Sequence, residues 1–165
     1  MPQLGFSDDD INKIKEYSEE FPIFRSSNMS YEINLMAKLV SELAKKLSDS
    51  DIEIVETHHN RKIDSPSGTA LILADSINEA LNKEMHYEYD RHSKREKRDK
   101  KEIGIHSIRG GNEAGKHSVI FFGNNESLEI THNVNSRAVF ASGAIKAAQF
   151  IIHKDTGLYN MNDIC

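Results

Sequence analysis

The sequence predicts an α/β or α+β fold in which an open mixed β-sheet is covered by helices, and three observations favour it. Segments typical of β-strands alternate, through the first half of the chain, with segments whose apolar residues recur at helical spacing. Three β-like runs then follow one another between residues 103 and 134, and an alanine-rich helical segment comes after them. With 165 residues, of which 38% are hydrophobic, the chain can bury a sizeable core.

The first elements are a helix, a short strand and a second helix. SDDDINKIKEYSEEF has an acidic start and one apolar face, which predicts a helix capped at Ser7. FPIF reads as a strand, and RSSNMS as a polar turn. INLMAKLVSELAKKL repeats leucine every four residues from Leu35 to Leu47, which predicts a long helix. Beside these leucines stand Met36, Val40 and Ala44.

The middle and C-terminal elements follow the same alternation. DIEIVE predicts a strand, and TALILADSINEAL predicts a helix that begins near Pro66. EYDRHSKREKRDKKE is too charged to pack and predicts a solvated loop. IGIHSIR, HSVIFFG and SLEITHNV predict three strands, and SRAVFASGAIKAAQFII predicts a helix that is apolar on most sides and therefore packed inside the protein.

Composition narrows the class of protein. The net charge of -5 disfavours general attraction to nucleic acids or anionic membranes. No apolar run approaches the roughly 20 residues that span a bilayer, and MPQLGFSDDD does not resemble a signal peptide, so we expect a cytoplasmic protein. Cys165 is the one cysteine, which excludes an internal disulfide and a CxxC metal cluster.

The segment THHNRKIDSPSGTA, residues 57–70, carries the most chemistry. Ser65 before Pro66 predicts a helix entry, which would place Ser67, Gly68 and Thr69 in the first turn. The backbone N–H groups of a first turn have no intrahelical acceptors, and the helix dipole favours negative charge there. The turn therefore predicts a cradle for a carboxylate or a phosphate.

Three side chains just upstream suggest what happens to the anion. Lys62 adds a positive charge, and His58 and His59 titrate near neutral pH, which suits one of them to proton transfer. Plainer interpretations stay open: the histidines as polar residues of a loop, and SPSGT as a simple helix cap. A zinc site is a further alternative, although eight histidines occur with no HExxH motif and no Cys partner.

HHNRKIDSPSGTA closely resembles HHxxKxDAPSGTA, the signature of the 4-hydroxy-tetrahydrodipicolinate (dihydrodipicolinate) reductases of lysine and diaminopimelate biosynthesis, with Ser65 in place of alanine. IGIHSIRGGNEAGKHSVIFFG, LEITHNVNSRAVFASGAIKAA and GLYNMNDI are similar to later segments of that family, and SSNMSYEIN is similar to its interdomain loop. The resemblance covers nearly the whole chain.

The resemblance implies an NADH- or NADPH-dependent oxidoreductase that transfers hydride to a cyclic imine with two carboxylates. It implies that His58 is the proton donor and that Lys62 is a second acid that attracts the substrate. It also implies a homotetramer. By the same resemblance, one substrate carboxylate would be held by His59, Ser67, Gly68 and Thr69, and the other by Arg137. The loop expected near the nicotinamide comprises Ser26, Ser27, Asn28 and Met29.

The N-terminus departs from the family pattern, because no glycine-rich loop for a dinucleotide pyrophosphate occurs in the sequence. We therefore expect residues 1–29 to be the tail of a Rossmann domain and residues 30–135 to be the substrate-binding and oligomerisation domain. Residues 136–165 would return to the cofactor side. The chain is expected to be a truncated form that does not turn over substrate by itself, and the choice between NAD and NADP would be made in the missing part.

Two further functions remain open on sequence grounds. The chain could be a noncatalytic module that assembles through the strands between residues 103 and 134. Alternatively, RHSKREKRDKK could bind nucleic acid, since residues 91–101 carry seven Lys or Arg against Glu96 and Asp99. No aromatic interleaving or recognition motif accompanies that run.

Overall fold

A computed structural model describes residues 6–165, so residues 1–5, which include Gly5 and the start of the expected Rossmann tail, lie outside the description. The predicted fold class is confirmed: helices and a mixed sheet alternate along the chain. The helices are α1 (Asp8–Ser18), α2 (Tyr31–Lys46), α3 (Gly68–Ala80), α4 (Ala138–Ile151) and a final 3-10 turn, Met161–Asp163. The strands are β1 (Pro22–Phe24), β2 (Asp51–His58), β3 (His86–Glu88), β4 (Glu102–Arg109), β5 (Lys116–Phe122), β6 (Ser127–Asn133) and β7 (Gly157–Tyr159).

The described residues form two compact units. One contains the chain up to Leu35 together with Arg137–Cys165, and the other is Met36–Ser136. The boundary between them falls inside α2. The assignment of the first unit to a cofactor-binding domain stays a prediction.

The unit Met36–Ser136 is built on a five-stranded sheet in the order β3-β4-β2-β5-β6. β3, β4 and β2 are parallel, whereas β5 pairs antiparallel with β2 and β6 antiparallel with β5. In this register Glu56 of β2 lies between Ser107 of β4 and His117 of β5. The sheet therefore brings together residues that are about fifty positions apart in sequence.

The core lies between one face of this sheet and helices α2 and α3. Strand β2 alternates half-buried and buried residues, because every second side chain points at the helices. Each fully buried aliphatic side chain contributes roughly 1.5–3 kcal/mol. The helical side of the core is formed by Met36, Ala37, Val40, Ala44, Ala70, Leu73, Ala74 and Ile77, and the sheet side by Ile52, Ile54, Ile103, Ile105, Val119 and Phe121.

In the other unit, α1 is capped as predicted, since the Ser7 hydroxyl accepts from the Asp10 N–H and the Asp10 side chain accepts from the Ser7 N–H. Strand β1 pairs parallel with β7, and Phe150 of α4 makes edge-to-face contacts with an aromatic ring on each of these strands. The apolar sequence of α4 predicts a helix packed inside something, but the described residues of this chain leave most of α4 exposed. Only Gly143 and Ala147 of α4 are buried, and Ile145 is 60% exposed.

The basic stretch 88–102 contradicts the expectation that it is too charged to pack. Its first residue ends strand β3, which the sequence reading missed, and its last residue begins β4. Arg91 donates two hydrogen bonds, at 2.8 and 2.7 Å, to the buried carboxylate of Glu102. Arg98 donates to the carbonyl oxygens of Ile52 and Glu102 at 2.8 and 2.6 Å. Arg91 and Arg98 therefore fasten the segment to the sheet, which removes these two cations from an interface with nucleic acid.

Two features are absent from residues 6–165, the part of the chain that the structure describes. No helix in that range has the length and apolar character needed to span a bilayer. Within the same range no group of three or more His, Cys, Asp or Glu side chains is arranged to hold a metal ion.

Candidate functional site

The centre of the site is Glu56, a residue that the sequence reading did not select. It follows Ile52 and Ile54 at the buried positions of β2, and its side chain is 0% exposed. Arg109, at the end of the neighbouring strand β4, donates from its two terminal nitrogens to the two carboxylate oxygens, both at 2.7 Å. A buried carboxylate needs such a partner because desolvation of an isolated charge is costly.

Two further groups contact the same carboxylate. The Nδ1 atom of His58 lies 2.6 Å from Oε2 of Glu56, and the backbone N–H of Ser67 donates to Oε1 at 3.2 Å. Burial raises the pKa of Glu56, but hydrogen bonds from Arg109, Ser107 and His58 outweigh it and bring the value to about 2. The carboxylate is therefore ionised throughout the neutral range.

Helix α3 begins two residues later than the sequence predicts. The N-cap is Ser67 and not Ser65, because the Ser67 backbone is extended and its hydroxyl oxygen accepts from the Ala70 N–H at 3.2 Å. The first helical residue is consequently Gly68, whose N–H has no carbonyl one turn earlier in the helix to bond. Ser67 itself is buried and its N–H is used by Glu56.

His117 is a second residue that sequence reasoning missed. Its Nε2 lies 2.8 Å from the Ser67 hydroxyl oxygen, and its ring packs edge-on against the ring of His58 at 5.1 Å. Burial lowers the pKa of His117 to about 3, with a further contribution from the positive charge of a protonated His58. His117 is therefore neutral at physiological pH.

The loop between His58 and α3 is held at several points. The N–H of His59 donates to the Glu113 carbonyl at 2.8 Å, and Arg109 donates to the Asp64 carbonyl at 2.8 Å. Lys62 forms an ion pair of 2.9 Å with Asp64 and, through its hydrogen bond, lowers the pKa of that carboxyl. Lys62 also acts electrostatically on His117, as does His58. The structure thus brings both proposed acids and the start of α3 into one neighbourhood.

The other predicted site residues belong to the other unit. Arg137 is exposed and occupies the N-cap position of α4, where its side chain makes no capping hydrogen bond. The Ser26 hydroxyl donates to the Asn28 carbonyl at 3.0 Å, and Ser27 is exposed. Met29 packs its carbonyl against Gly143, where an added Cβ would lie 1.6 Å from that oxygen. The loop 26–29 is therefore ordered by its own hydrogen bonds and by a glycine of α4.

Residues 32–165 match the family model described as dihydrodipicolinate reductase, C-terminus. The chain belongs to this family. The match extends from the start of α2 to the last residue, so dihydrodipicolinate reductase sequences account for all of the residues around Glu56.

Three relatives place the chain within the dihydrodipicolinate reductases. It is 52% identical over 160 residues to the 4-hydroxy-tetrahydrodipicolinate reductase of Caldanaerobacter subterraneus subsp. tengcongensis, covering 97% of this chain and 64% of the relative. The reductase of Brachyspira hyodysenteriae is also 52% identical, with 97% and 69% covered. A solved structure, dipicolinate-bound dihydrodipicolinate reductase from Paenisporosarcina sp. TG-14, aligns with a TM-score of 0.75 and 26% identity over 94% of this chain and 60% of that protein. The chain thus spans slightly under two thirds of the first relative.

Proposed function

We propose that this chain is the substrate-binding and assembly part of a 4-hydroxy-tetrahydrodipicolinate reductase, a cytoplasmic oxidoreductase of lysine and diaminopimelate biosynthesis. The observation that carries the proposal is the grouping of an ionised, buried Glu56 with His58, Lys62 and the N-terminus of α3. This grouping supports binding of an anion next to a group that can transfer a proton. Family membership supports the identity of the anion as a cyclic dicarboxylated imine.

Each proposed role follows from chemistry that the residue can perform. The N–H of Gly68, at the positive end of α3, binds one substrate carboxylate. The other proposed members of this carboxylate site are His59, Ser67 and Thr69. Lys62 attracts the same negative charge and acts as a second acid. His58 donates the proton that the reduced substrate requires. Arg137 is proposed to pair with the other carboxylate, since its guanidinium can bind a carboxylate with two parallel hydrogen bonds.

The cofactor of the proposed reaction is NADH or NADPH, which would supply the hydride. In the unit that contains the loop 26–29, the carbonyl of Asn28 accepts from Ser26 and from Asn34, at 3.0 Å in each case, so the loop is preordered. Such a loop fits contacts at the nicotinamide end. The sequence has no glycine-rich turn that would bind the pyrophosphate.

The anion site can be tested without turnover. Pyridine-2,6-dicarboxylate at millimolar concentration should raise the melting temperature of the chain, because a ligand that binds the folded state stabilises it. Lys62→Ala should abolish the shift. Lys45→Ala is the matched control, since Lys45 pairs with Glu42 on the surface of α2 and should leave the shift intact. A parent chain that shows no shift contradicts the proposed site.

A specific observation also favours homo-oligomeric assembly through the sheet. The face of the sheet opposite α2 and α3 carries Ile108, which is 51% exposed, and Phe122, which is 43% exposed. Val55 and Ile120 on the same face are half-buried. Ile108 and Phe122 lie beside opposite ends of β2, so apolar side chains are exposed along the length of this face, which supports an interaction surface there. Ile108→Glu should shift the oligomer toward monomer in sedimentation velocity, and an unchanged distribution would contradict assembly by this face.

A further inference from the structure

The Glu56 carboxylate accepts every hydrogen bond that it makes. Its Oε2 atom is contacted by Arg109 at 2.7 Å and by Nδ1 of His58 at 2.6 Å, and its Oε1 atom by Arg109 at 2.7 Å and by the Ser67 N–H at 3.2 Å. An ionised carboxylate can only accept hydrogen bonds. Arg109 and the Ser67 amide can only donate, and Ser107 also hydrogen-bonds to this carboxylate. Because the carboxylate has no hydrogen of its own, Nδ1 of His58 must carry the hydrogen of the 2.6 Å contact.

We infer that Glu56, held by Arg109, is a positioning residue that fixes the hydrogen of neutral His58 on Nδ1 and so makes Nε2 the atom that delivers and recovers the catalytic proton. The inference rests on the proposed function in assigning the proton to the reaction, but the tautomer is a property of the chain by itself. When the His58 ring is protonated on both nitrogens, its Nδ1–H remains hydrogen-bonded to Glu56. The hydrogen that the ring gives up is therefore the one on Nε2.

The backbone around Nε2 agrees with this assignment. Gly115 has a φ of +156°, and a Cβ at that position would lie 3.1 Å from Nε2 of His58. Glycine therefore keeps a neighbouring carbon atom away from Nε2, whereas Nδ1 is enclosed with the fully buried Glu56. The His58 ring has one nitrogen committed to the protein and the other with more room around it.

Replacement of Glu56 by glutamine keeps the size and shape of the side chain but removes one of its two acceptor oxygens. An amide has one acceptor oxygen and one donor nitrogen, so its NH₂ group must face donors whichever way the side chain is turned. With the NH₂ group at the Oε1 position, it faces two obligatory donors, Arg109 and the Ser67 amide. At the Oε2 position it faces Arg109 and His58, and one of the two conflicts disappears when Nδ1 of His58 loses its hydrogen and accepts instead. Glu56→Gln should therefore shift the neutral ring of His58 toward the Nε2–H tautomer.

Glu53→Gln provides a matched control on the same strand. Glu53 also contacts a histidine and an arginine, with its Oε2 2.7 Å from His106 and its Oε1 3.0 Å from Arg98. It points to the opposite face of the sheet from Glu56, because side chains alternate along β2. The change is the same in charge and shape, and it should leave the His58 tautomer unchanged.

The experiment is long-range ¹H–¹⁵N correlation NMR on the uniformly ¹⁵N-labelled chain at pH 8, where ordinary histidines, with a pKa of about 6.5, are neutral. His58→Gln identifies the His58 ring signals by their loss. The parent is expected to show His58 with hydrogen on Nδ1 alone. Glu56→Gln should show a majority of Nε2–H, and Glu53→Gln should give the parent pattern at His58.

Each outcome decides the inference. A parent spectrum with hydrogen on Nε2, or with a mixture, overturns it even if Glu56→Gln fails to fold. A folded Glu56→Gln chain that keeps the pure Nδ1–H pattern also overturns it, because the carboxylate would then not determine the tautomer. Failure of pyridine-2,6-dicarboxylate to bind would instead count against the proposed function and would leave the tautomer result in place.

Discussion

Each face of the sheet carries a glutamate, a histidine and an arginine in contact, and the two groups behave differently. Arg109 of the first group lies on β4, whereas Arg98 of the second comes from the connection between β3 and β4. On the covered face, the carboxylate of Glu56 is 2.6 Å from His58 and 2.7 Å from Arg109. On the opposite face, Glu53 is 2.7 Å from His106, and it also accepts from Arg98. The distances are nearly equal, but the side chain of His58 is 11% exposed whereas that of His106 is 47% exposed.

The comparison shows that burial, and not the choice of residues, separates the two groups. In the low-dielectric interior each charge strengthens the hydrogen bonds around it, and an unpaired group is costly. On the opposite face Glu53 is 18% exposed and His106 is 47% exposed, so water reaches these groups and weakens their pairing. The buried group can therefore hold a reactive geometry, whereas the opposite group mainly fastens the basic segment to the sheet.

The largest expected difference is catalytic. When residues 1–165 are joined to an intact cofactor-binding half, His58→Gln should lower kcat by roughly 10²- to 10⁴-fold, as for loss of a general acid. His59→Gln should act more on KM. His106→Gln, on the opposite face, is the control and should change kcat by less than about twofold. Steady-state rates of NADH or NADPH oxidation measure all three, and equal small effects at His58 and His106 would remove the distinction.

A second difference concerns stability. Glu56→Ala should lower the free energy of unfolding by about 3–5 kcal/mol, because it leaves the Arg109 guanidinium without its buried counter-charge. Glu53→Ala should cost less, about 1–2 kcal/mol, because Glu53 is partly exposed and water can reach the partners that it leaves. Urea denaturation at pH 7.5 gives both values. Similar losses in the two variants would mean that burial does not separate the groups.

The pH dependence of stability tests the buried face through His117. The folded-state pKa of about 3 lies below the ordinary value of 6.5, so the unfolded chain binds a proton first as the pH falls. Stability is complete above about pH 6.5 and decreases toward pH 3, with a slope of up to about 1.4 kcal/mol per pH unit. Below pH 4.5, the ordinary value of Glu56, whose folded pKa is about 2, that carboxylate adds a loss of the same sign.

His117→Asn should flatten the decline between pH 6.5 and 4.5 while keeping the steeper loss below pH 4.5. Urea titrations at half-unit pH steps resolve the two windows. A variant with the same slope as the parent between pH 6.5 and 4.5 would show that His117 is not the responsible group.

The smallest expected effect concerns the basic stretch on the opposite face. Because Arg91 and Arg98 are engaged by Glu102, Glu53 and backbone carbonyls, the chain should not bind random DNA measurably at 150 mM salt. Fluorescence anisotropy with a labelled duplex is sufficient. Salt-dependent binding that Arg98→Ala weakens would show that these cations are available after all.

Much of the fold was predictable because it depends on local periodicity. The leucine repeat predicted α2, and three apolar runs predicted β4, β5 and β6. The repeat did not predict which helix face is buried: Val40 and Ala44 are in the core, whereas Leu39 is 49% exposed. Periodicity identifies the two apolar rows of side chains on the helix, but it does not tell which row packs against the sheet.

The site was predictable only in part. Lys62 and the histidines stood out because they lie within one short segment, but Glu56 and His117 acquire their roles through strand pairing. One signal was present in the sequence. Glu56 follows Ile52 and Ile54 at every second position of the strand, so its side chain points to the same buried face. A charged residue at a buried strand position requires a partner. The identity of that partner, Arg109, depends on a register that the sequence does not specify.

The ion pairs of the basic stretch 88–102 should protect it from proteases. Residues 91–101 contain seven sites at which trypsin could cleave, in a segment with no helix or strand. Arg91 and Arg98 hold it against Glu102 and Glu53, while Lys94 pairs with Glu88 and Lys101 with Glu84. A protease must draw an extended stretch of backbone into its cleft, so cleavage here requires these ion pairs to open first. Nicking by trypsin therefore reports the opening of the β3–β4 connection, and salt should accelerate it although the sheet remains folded.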